Sequence, residues 1–186
     1  ATMIRAENIQ KMTAATMAIL NASFRTTGAF ARLDEQITQL ESYIYIMKVR
    51  FGDRFEMEFD CDEEARYCFV MKMLIQPLLE NSILHGIREI EGQGRIRMTA
   101  RRQADRLEIA VSDNGVGMSP EAIAAAWTPE EHQHKGFQCI GIRNVHDRIR
   151  LYHGDAYGLH IVSEPGYGTT VTCVLPIITK SAELKA

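Results

Sequence analysis

The sequence predicts an α/β domain: a two-layer sandwich in which helices cover one face of a mixed, mostly antiparallel sheet, preceded by N-terminal helices. Three observations predict it. Residues 54–60, 95–102, 106–112, 157–163 and 169–175 read as strands, most of them half-buried with apolar and polar positions alternating. Residues 4–27, 33–51, 66–88 and 140–153 carry apolar residues at helical spacing or in long apolar runs. The two kinds of segment do not follow each other as regular βαβ units, so a doubly wound sheet fits poorly. A chain of 186 residues, 46% hydrophobic and 24% charged, can bury a core of this kind. The expected organisation is a helical segment over 1–30, the sandwich domain over 31–178 and a polar tail over 179–186.

The first helix, 4–27, rests on Ile4, Ile9, Met12, Ala15, Ile19 and Ala22, with no Pro or Gly before Gly28. The second begins at Leu33 and continues its stripe through Ile37, Leu40, Ile44 and Met47. Asp34 and Glu35 in its first turn and Lys48 and Arg50 in its last suit the helix dipole, and Gly52 ends it. Phe55, Met57 and Phe59 then alternate with Glu56, Glu58 and Asp60 as a strand. The acidic run Asp60 to Glu64 reads as a solvated loop or helix start. Residues 66–88 read as one apolar helix bent by Pro77. A turn at Glu91 to Gly94 leads to two strands, the first with Arg95, Arg97 and Arg101 on its wet face. A short helix spans Pro120 to Trp127, and a mobile loop is expected after it. The helix 140–153 turns Ile142, Val145, Ile149 and Tyr152 inward, and a Gly-turned hairpin closes the domain. Most of the nine methionines, and Trp127, read as packing residues.

Composition excludes several function classes. Lys and Arg total 21 against 24 Asp and Glu, a formal net charge of -3, and the arginines have no aromatic interleaving; no nucleic-acid partner is expected. Cys61, Cys68, Cys139 and Cys173, with gaps of 7, 71 and 34 residues, match no compact zinc or redox motif. A reducing compartment is the simpler reading. No run of 18 apolar residues marks a membrane span, and no signal peptide opens the chain. The first residue is Ala1 in what reads as a helix, which suggests a piece of a longer protein. The common Gly-rich nucleotide fingerprints are both missing.

Four segments carry polar chemistry where packing does not ask for it. In Gln76-Pro77-Leu78-Leu79-Glu80-Asn81-Ser82-Ile83-Leu84-His85-Gly86, Asn81 and His85 lie four apart on one helix face. Asn supplies a neutral oxygen that completes the shell of a hard cation already neutralised by phosphates; a solvent-facing helix edge is the plain alternative. Asp113-Asn114-Gly115-Val116-Gly117 follows a strand. A carboxylate there accepts a hydrogen bond from a ligand amino group, and the two glycines permit close approach; a simple turn is the alternative. Gly141-Ile142-Arg143-Asn144-Val145 opens a helix, whose free N–H groups attract phosphate. Gly166-Tyr167-Gly168-Thr169-Thr170 enters the last strand.

Taken in order, with spacings of 32, 28 and 28 residues between Asn81, Asp113, Gly141 and Thr169, these segments resemble the ATP-binding domain shared by sensor histidine kinases, DNA gyrase, the Hsp90 chaperones and MutL. The Asn segment is similar to QPLVENAIKHG of the LytS/YesM-like kinases. Cys139 to Val145 is similar to their GIGLRNV, and Tyr43 to Arg54 to their YLEIEKLRFGDR. The resemblance covers about residues 30–177 and implies a Bergerat-type ATP-binding fold, with residues 1–30 the end of a dimerisation hairpin or a linker helix. It implies ATP and Mg²⁺ as cofactors. Asn81 is the implied Mg²⁺ ligand, Asp113 the acceptor for adenine, and Gly115 and Gly117 the residues that let the chain close around the nucleotide. Gly141 and Ile142 form the phosphate-binding helix start, with Arg143 as an added charge. Thr169 stands beside Asp113, His85 at the pocket edge, and 119–138 is the nucleotide lid.

The implied activity is transfer of the γ-phosphoryl to a histidine upstream of this chain and on to a response-regulator aspartate. The implied parent is a homodimeric, membrane-anchored bacterial sensor, with this part cytoplasmic. None of the six histidines here stands in the acceptor motif of that branch. Three positions depart from the patterns. Leu84 stands where the branch has Lys, and Cys139 where it has a third Gly. Pro77 stands where the gyrase and Hsp90 relatives carry a water-activating Glu, which argues against fast hydrolysis. Leu84 and Cys139 leave a degenerate nucleotide-binding or dimerisation module open; an ATPase or protein-serine kinase of the superfamily is the other alternative.

Overall fold

The structure, a computed structural model, describes residues 28–88, 90–128 and 140–180. The helix expected over 4–27, the second half of the expected lid (129–138), Cys139 and most of the expected polar tail lie outside the described residues.

The chain enters as a short strand β1 (Phe30–Arg32) and passes directly into α1 (Leu33–Phe51). The expected stripe is the buried one: Leu33, Ile37, Leu40, Ile44 and Met47 all face the core, joined by Tyr43. Gly52 ends the helix at φ 74, and β2 (Phe55–Cys61) follows. One helical turn, α2 (Glu63–Arg66), leads to β3 (Phe69–Met71), which pairs antiparallel with β1.

This stretch corrects the expected single helix over 66–88. Its first part is the strand β3 and a turn, and α3 (Gln76–Asn81) begins only at Gln76. Pro77 therefore sits in the first helical turn, where its missing N–H costs nothing, and bends no helix. An apolar run cannot distinguish a buried strand from a helix by periodicity, and β3 has two of its three residues buried. From Ser82 to Ile87 the helix widens into a π-helical turn, SILHGI. Such turns are rare and occur most often at functional sites.

A five-stranded sheet forms the second layer. Beside β2 lie β4 (Gly94–Gln103), β5 (Arg106–Asp113), β7 (Gly168–Pro176) and β6 (Gly158–Glu164), in the order β2-β4-β5-β7-β6. The β2–β4 pair is parallel and the other three are antiparallel, as expected for a mixed, mostly antiparallel sheet. Alternation is clean in β4, where Ile96, Met98 and Ala100 are buried and Arg95 and Arg97 are exposed. The exposed arginines are neutralised locally: Arg97 and Arg101 both reach Asp60, at 2.5 and 2.6 Å. Those bonds, Arg101 first, hold the Asp60 carboxyl below its ordinary range. The acidic run is thus partly a strand end matched to the arginine face, and partly the helix start α2.

Two further helices lie on the apolar face of the sheet. α4 (Pro120–Trp127) is capped by Ser119, whose hydroxyl accepts from Ala122 N. α5 (Ile140–His153) buries Ile142, Val145 and Ile149. Tyr152, expected inward, is half exposed at 51% and meets Phe30 edge to face at 5.8 Å. It lies three residues past Ile149 at the last turn, where α5 has run beyond the sheet.

Candidate functional site

A cavity of about 340 Å³ opens between the apolar face of the sheet, the α3 π-helical extension, α4 and the start of α5. Its floor is Asp113, the last residue of β5, set opposite Thr169 of β7 in the strand register. Both oxygens of the carboxylate are held. Ser82 Oγ donates to Oδ2 at 2.8 Å and Gly115 N donates to Oδ1 at 2.9 Å. Burial pushes the Asp113 carboxyl above its ordinary range, and these two donors pull the other way. The Thr169 backbone N–H acts in the same sense as these two donors, so hydrogen bonds are what favour the charged form of this buried carboxyl.

Glycines let this happen. A Cβ on Gly86 would stand 2.8 Å from Asp113 Oδ1, and one on Gly115 would stand 2.3 Å from the Gly86 carbonyl carbon. The turn after β5 therefore lies directly on the π-helical turn, where Val116 N donates to Gly86 O at 3.0 Å. Gly117 has φ +69, and a Cβ there would meet Glu164 O at 2.0 Å. The expected roles of Gly115 and Gly117 shift accordingly. Gly117 lines the cavity, while Gly115 serves the close packing beneath it.

Asn81 lines the cavity beside the start of α5. Its Nδ2 is buried and has no hydrogen-bond partner among the described residues. A Cβ on Gly141, at the first turn of α5, would be 3.8 Å from that atom, an ordinary contact. Among the described residues, packing does not require glycine at 141, so its lack of a side chain suits the approach of a ligand. A buried amide without a partner among the described residues, beside a helix start, fits a phosphate group with its metal: the amide presents an NH₂ with two donors and one neutral oxygen.

Of the residues singled out in the sequence, Asn81, His85, Asp113, Gly117, Ile142 and Thr169 line this cavity, and Gly141 borders Asn81. Thr169 Oγ1 shares a hydrogen bond of 2.8 Å with Ser163 Oγ, so its hydroxyl is already engaged. Arg143 is not brought in. Its Nε donates to Asp147 at 3.2 Å and its Nη1 to the Trp127 carbonyl at 3.1 Å, which ties α5 to the end of α4. Residue 143 follows Ile142 on the helix and so faces away from the cavity that Ile142 lines. Trp127 packs on His146, ring centroids 4.8 Å apart, and against the core; it does not line the cavity. Leu84 packs partly buried against the core. Among the described residues no cluster of His, Cys, Asp or Glu is arranged to hold a metal.

Sequence reasoning missed Ser82, Gly86, Met118 and the small wall residues Ala122 and Ala125. Ser82 had a signal: it is a polar residue in an apolar helical run, next to Asn81. The alanines had none, since small residues on a short helix carry no chemistry of their own.

Residues 70–179 match the family model described as histidine kinase-, DNA gyrase B-, and HSP90-like ATPase. The sensor histidine kinase YpdA of Escherichia coli (strain K12) is 38% identical over 135 residues, 72% of this chain and 23% of that protein. The sensor protein kinase HptS of Staphylococcus aureus (strain USA300) is 32% identical over 160 residues, 86% of this chain and 30% of that protein. The chain thus spans less than a third of the curated relatives it matches. Among solved structures, the catalytic domain of histidine kinase ThkA superposes with a TM-score of 0.59 at 15% identity, covering 86% of this chain and 100% of that one, which shows a shared fold. With the family model covering more than half of its length, this chain belongs to the histidine kinase-, DNA gyrase B- and HSP90-like ATPase family.

Proposed function

We propose that the chain is the catalytic part of a two-component sensor histidine kinase. It binds Mg-ATP in the cavity above Asp113 and supplies the γ-phosphoryl to a histidine upstream of this chain. From there the group passes to a response-regulator aspartate. The observation that carries the reading is the presence in one cavity of a clamped, buried carboxylate and of the Asn81 amide, buried without a partner among the described residues.

Each residue has a task that follows from its place. Asp113 accepts a hydrogen bond from the adenine amino group, and Thr169 stands beside it on β7. Leu78, Ile142 and Val171 form apolar walls for the base. Asn81 offers its oxygen to Mg²⁺, and Gly141 lets the phosphates approach the first amides of α5. The metal, when bound, neutralises charge on the transferring group. His85 stands at the rim. Pro77 occupies the position at which a water-activating carboxylate would stand, so the chain holds the phosphoryl for an imidazole and does not activate water.

In the whole protein the activity belongs to a homodimeric sensor whose kinase part is cytoplasmic and whose partner is a response regulator. The names of YpdA and HptS support that setting. None of the helices described here is long and apolar enough to cross a membrane. The test is calorimetry with Mg-ATP, followed by radiolabelled ATP on a longer chain that includes the upstream helix. Binding plus acid-labile, base-stable phosphate is expected. No binding at millimolar nucleotide would sink the reading and leave a degenerate module.

A further inference from the structure

The hydroxyl of Ser82 is bound in a way that determines what it shows to a ligand. Ser82 is buried, with 6% of its surface exposed, and lines the same cavity as Asp113. A carboxylate only accepts, so the 2.8 Å contact between Ser82 Oγ and Asp113 Oδ2 commits the serine proton to Asp113. What Ser82 then turns to the cavity is lone pairs. Oδ1 is already engaged by Gly115 N at 2.9 Å, and it stands against Gly86, where a Cβ would come within 2.8 Å of it. The carboxylate is fixed in one rotamer with Oδ2 and Ser82 Oγ side by side.

We propose that Ser82 is a specificity-determining residue of the site: with Asp113 it forms a paired acceptor that selects a purine bearing an exocyclic amino group over one bearing a carbonyl in its place. The inference rests on the nucleotide-binding reading above and adds to it the source of base discrimination. An amino group has two hydrogens, one for each acceptor. A carbonyl sets its lone pairs against both, and relief requires turning the Ser82 proton away from Asp113, which strips a buried carboxylate of a donor. Alanine at 82 removes the second acceptor and the fixed rotamer together.

The pair also affects how the site responds to pH. Burial favours the neutral Asp113 carboxyl and the Ser82 bond favours the charged one. Few other groups face it. His85 borders the same cavity from the π-helical turn. Glu56, Glu58, Arg95 and Arg97, from β2 and β4, border Asp113 on the open side of the sheet. β7 contributes Thr169, and the turn after β5 contributes Asn114 and Gly115.

The experiment compares Mg-ATP and Mg-ITP, whose base carries a carbonyl at that position, by calorimetry on wild type, Ser82→Ala and Ser82→Thr, between pH 5 and 8. In wild type ATP binds more tightly than ITP. In Ser82→Ala, ATP weakens by about tenfold, the loss of one hydrogen bond from its amino group, while ITP is affected less. The pH at which ATP affinity falls moves upward in Ser82→Ala and returns in Ser82→Thr. Ser82→Cys, which keeps the size with a weak donor, behaves as Ser82→Ala and replaces it if the alanine variant does not fold. An ATP-to-ITP ratio and a pH midpoint unchanged in folded Ser82→Ala or Ser82→Cys would overturn the inference and leave the nucleotide reading intact. Equal ATP affinity of wild type and Asp113→Asn would overturn both.

Discussion

Replacing Asp113 by Asn changes one atom and reverses the polarity of the cavity floor. Gly115 N must still point at an acceptor, so the amide oxygen takes the place of Oδ1 and the NH₂ takes that of Oδ2. Ser82 then turns to accept from it. A donor now faces the position where an adenine amino group would donate. The lost charge-assisted bond is worth about 1.5–3 kcal/mol, which is about 10- to 150-fold in the Kd for Mg-ATP. The fold should be affected far less. Burial raises the Asp113 carboxyl above its ordinary range, so the folded state favours the protonated form. A raised carboxyl contributes stability below its unfolded pKa and loses it as pH rises through the folded value. At neutral pH the carboxylate is therefore a cost, and the neutral amide removes it. Asp113→Asn should melt within a few degrees of wild type, at or above it. The same sign makes wild-type ATP affinity fall as pH drops toward the raised carboxyl range, while the variant stays flat. Calorimetry at pH 7.5 and 5.5, with melting followed by circular dichroism, tests each part. An unchanged Kd in a folded variant would show that adenine is held elsewhere. A variant that melts far lower would show that the carboxylate is part of the scaffold.

Three further predictions concern the surroundings of the site. Gly115→Ala places a Cβ against the backbone of Gly86 on the π-helical turn, where nothing flexible can give; urea denaturation should show a loss of about 1–3 kcal/mol, and ATP binding should weaken with it. Burial pushes the Cys173 thiol up to about 12 and also raises the half-buried Cys61; in the folded protein a colorimetric thiol reagent should leave Cys173 untouched and reach it only on unfolding. His146 is lowered, chiefly by burial, and its Nδ1 accepts from Leu159 N at 3.1 Å; the stability it contributes is present above the unfolded pKa and is lost as pH falls through the folded one, so Tm should drop between pH 7 and 5 in wild type and less in His146→Gln.

The legible parts of the fold were those where one face meets water. β2, β4, β5 and the β6–β7 hairpin alternate because their second face is solvated, and α1 shows its stripe for the same reason. β3 was illegible because Phe69, Val70 and Met71 lie in a continuous apolar run, and β1 because three residues carry no period. The lining of the cavity was legible in part, since Asn81, Asp113 and Thr169 are polar where packing does not require it and Gly117 stands in a glycine-rich turn. Its interlocking was not. That Gly115 faces Gly86, or that Ser82 holds Asp113, depends on a π-helical turn meeting a β-turn 31 residues away in the chain. Arg143 misled because a cation beside a phosphate-binding helix start is plausible in sequence, while its position one residue past Ile142 turns it to the other side.

The displaced Arg143 has a consequence for how charge is balanced. The described residues that line the cavity include no Lys or Arg, and His85 is the sole side chain among them that can carry a positive charge. Leu84, at the position where the resembled kinases carry Lys, is apolar and packs against the core. On the proposed reading, a bound nucleotide's phosphates meet partial charges on the amides of α5 and the Asn81 amide, and with no fixed cation in the described lining Mg²⁺ is expected to be their principal counter-charge. ATP affinity should depend on the metal more steeply here than in a site with a fixed cation. Removing Mg²⁺ with EDTA should weaken ATP by at least tenfold, a loss of about 1.4 kcal/mol. Leu84→Lys should recover part of it. A charge pair at a half-exposed position is worth at most about 1 kcal/mol after solvent screening, about fivefold in the EDTA Kd. The stem of the lysine can lie where the leucine packs and carry its ammonium outward, so the fold should tolerate the change. With Mg²⁺ present the same substitution should gain much less, because the metal already neutralises the group that the lysine would approach. The measurement is a Kd by calorimetry for two proteins in two buffers. Equal ATP affinity with and without Mg²⁺ in wild type would show that a cation outside the described lining reaches the phosphates. A Leu84→Lys gain of the same size in both buffers would show that the lysine and the metal do not share a target.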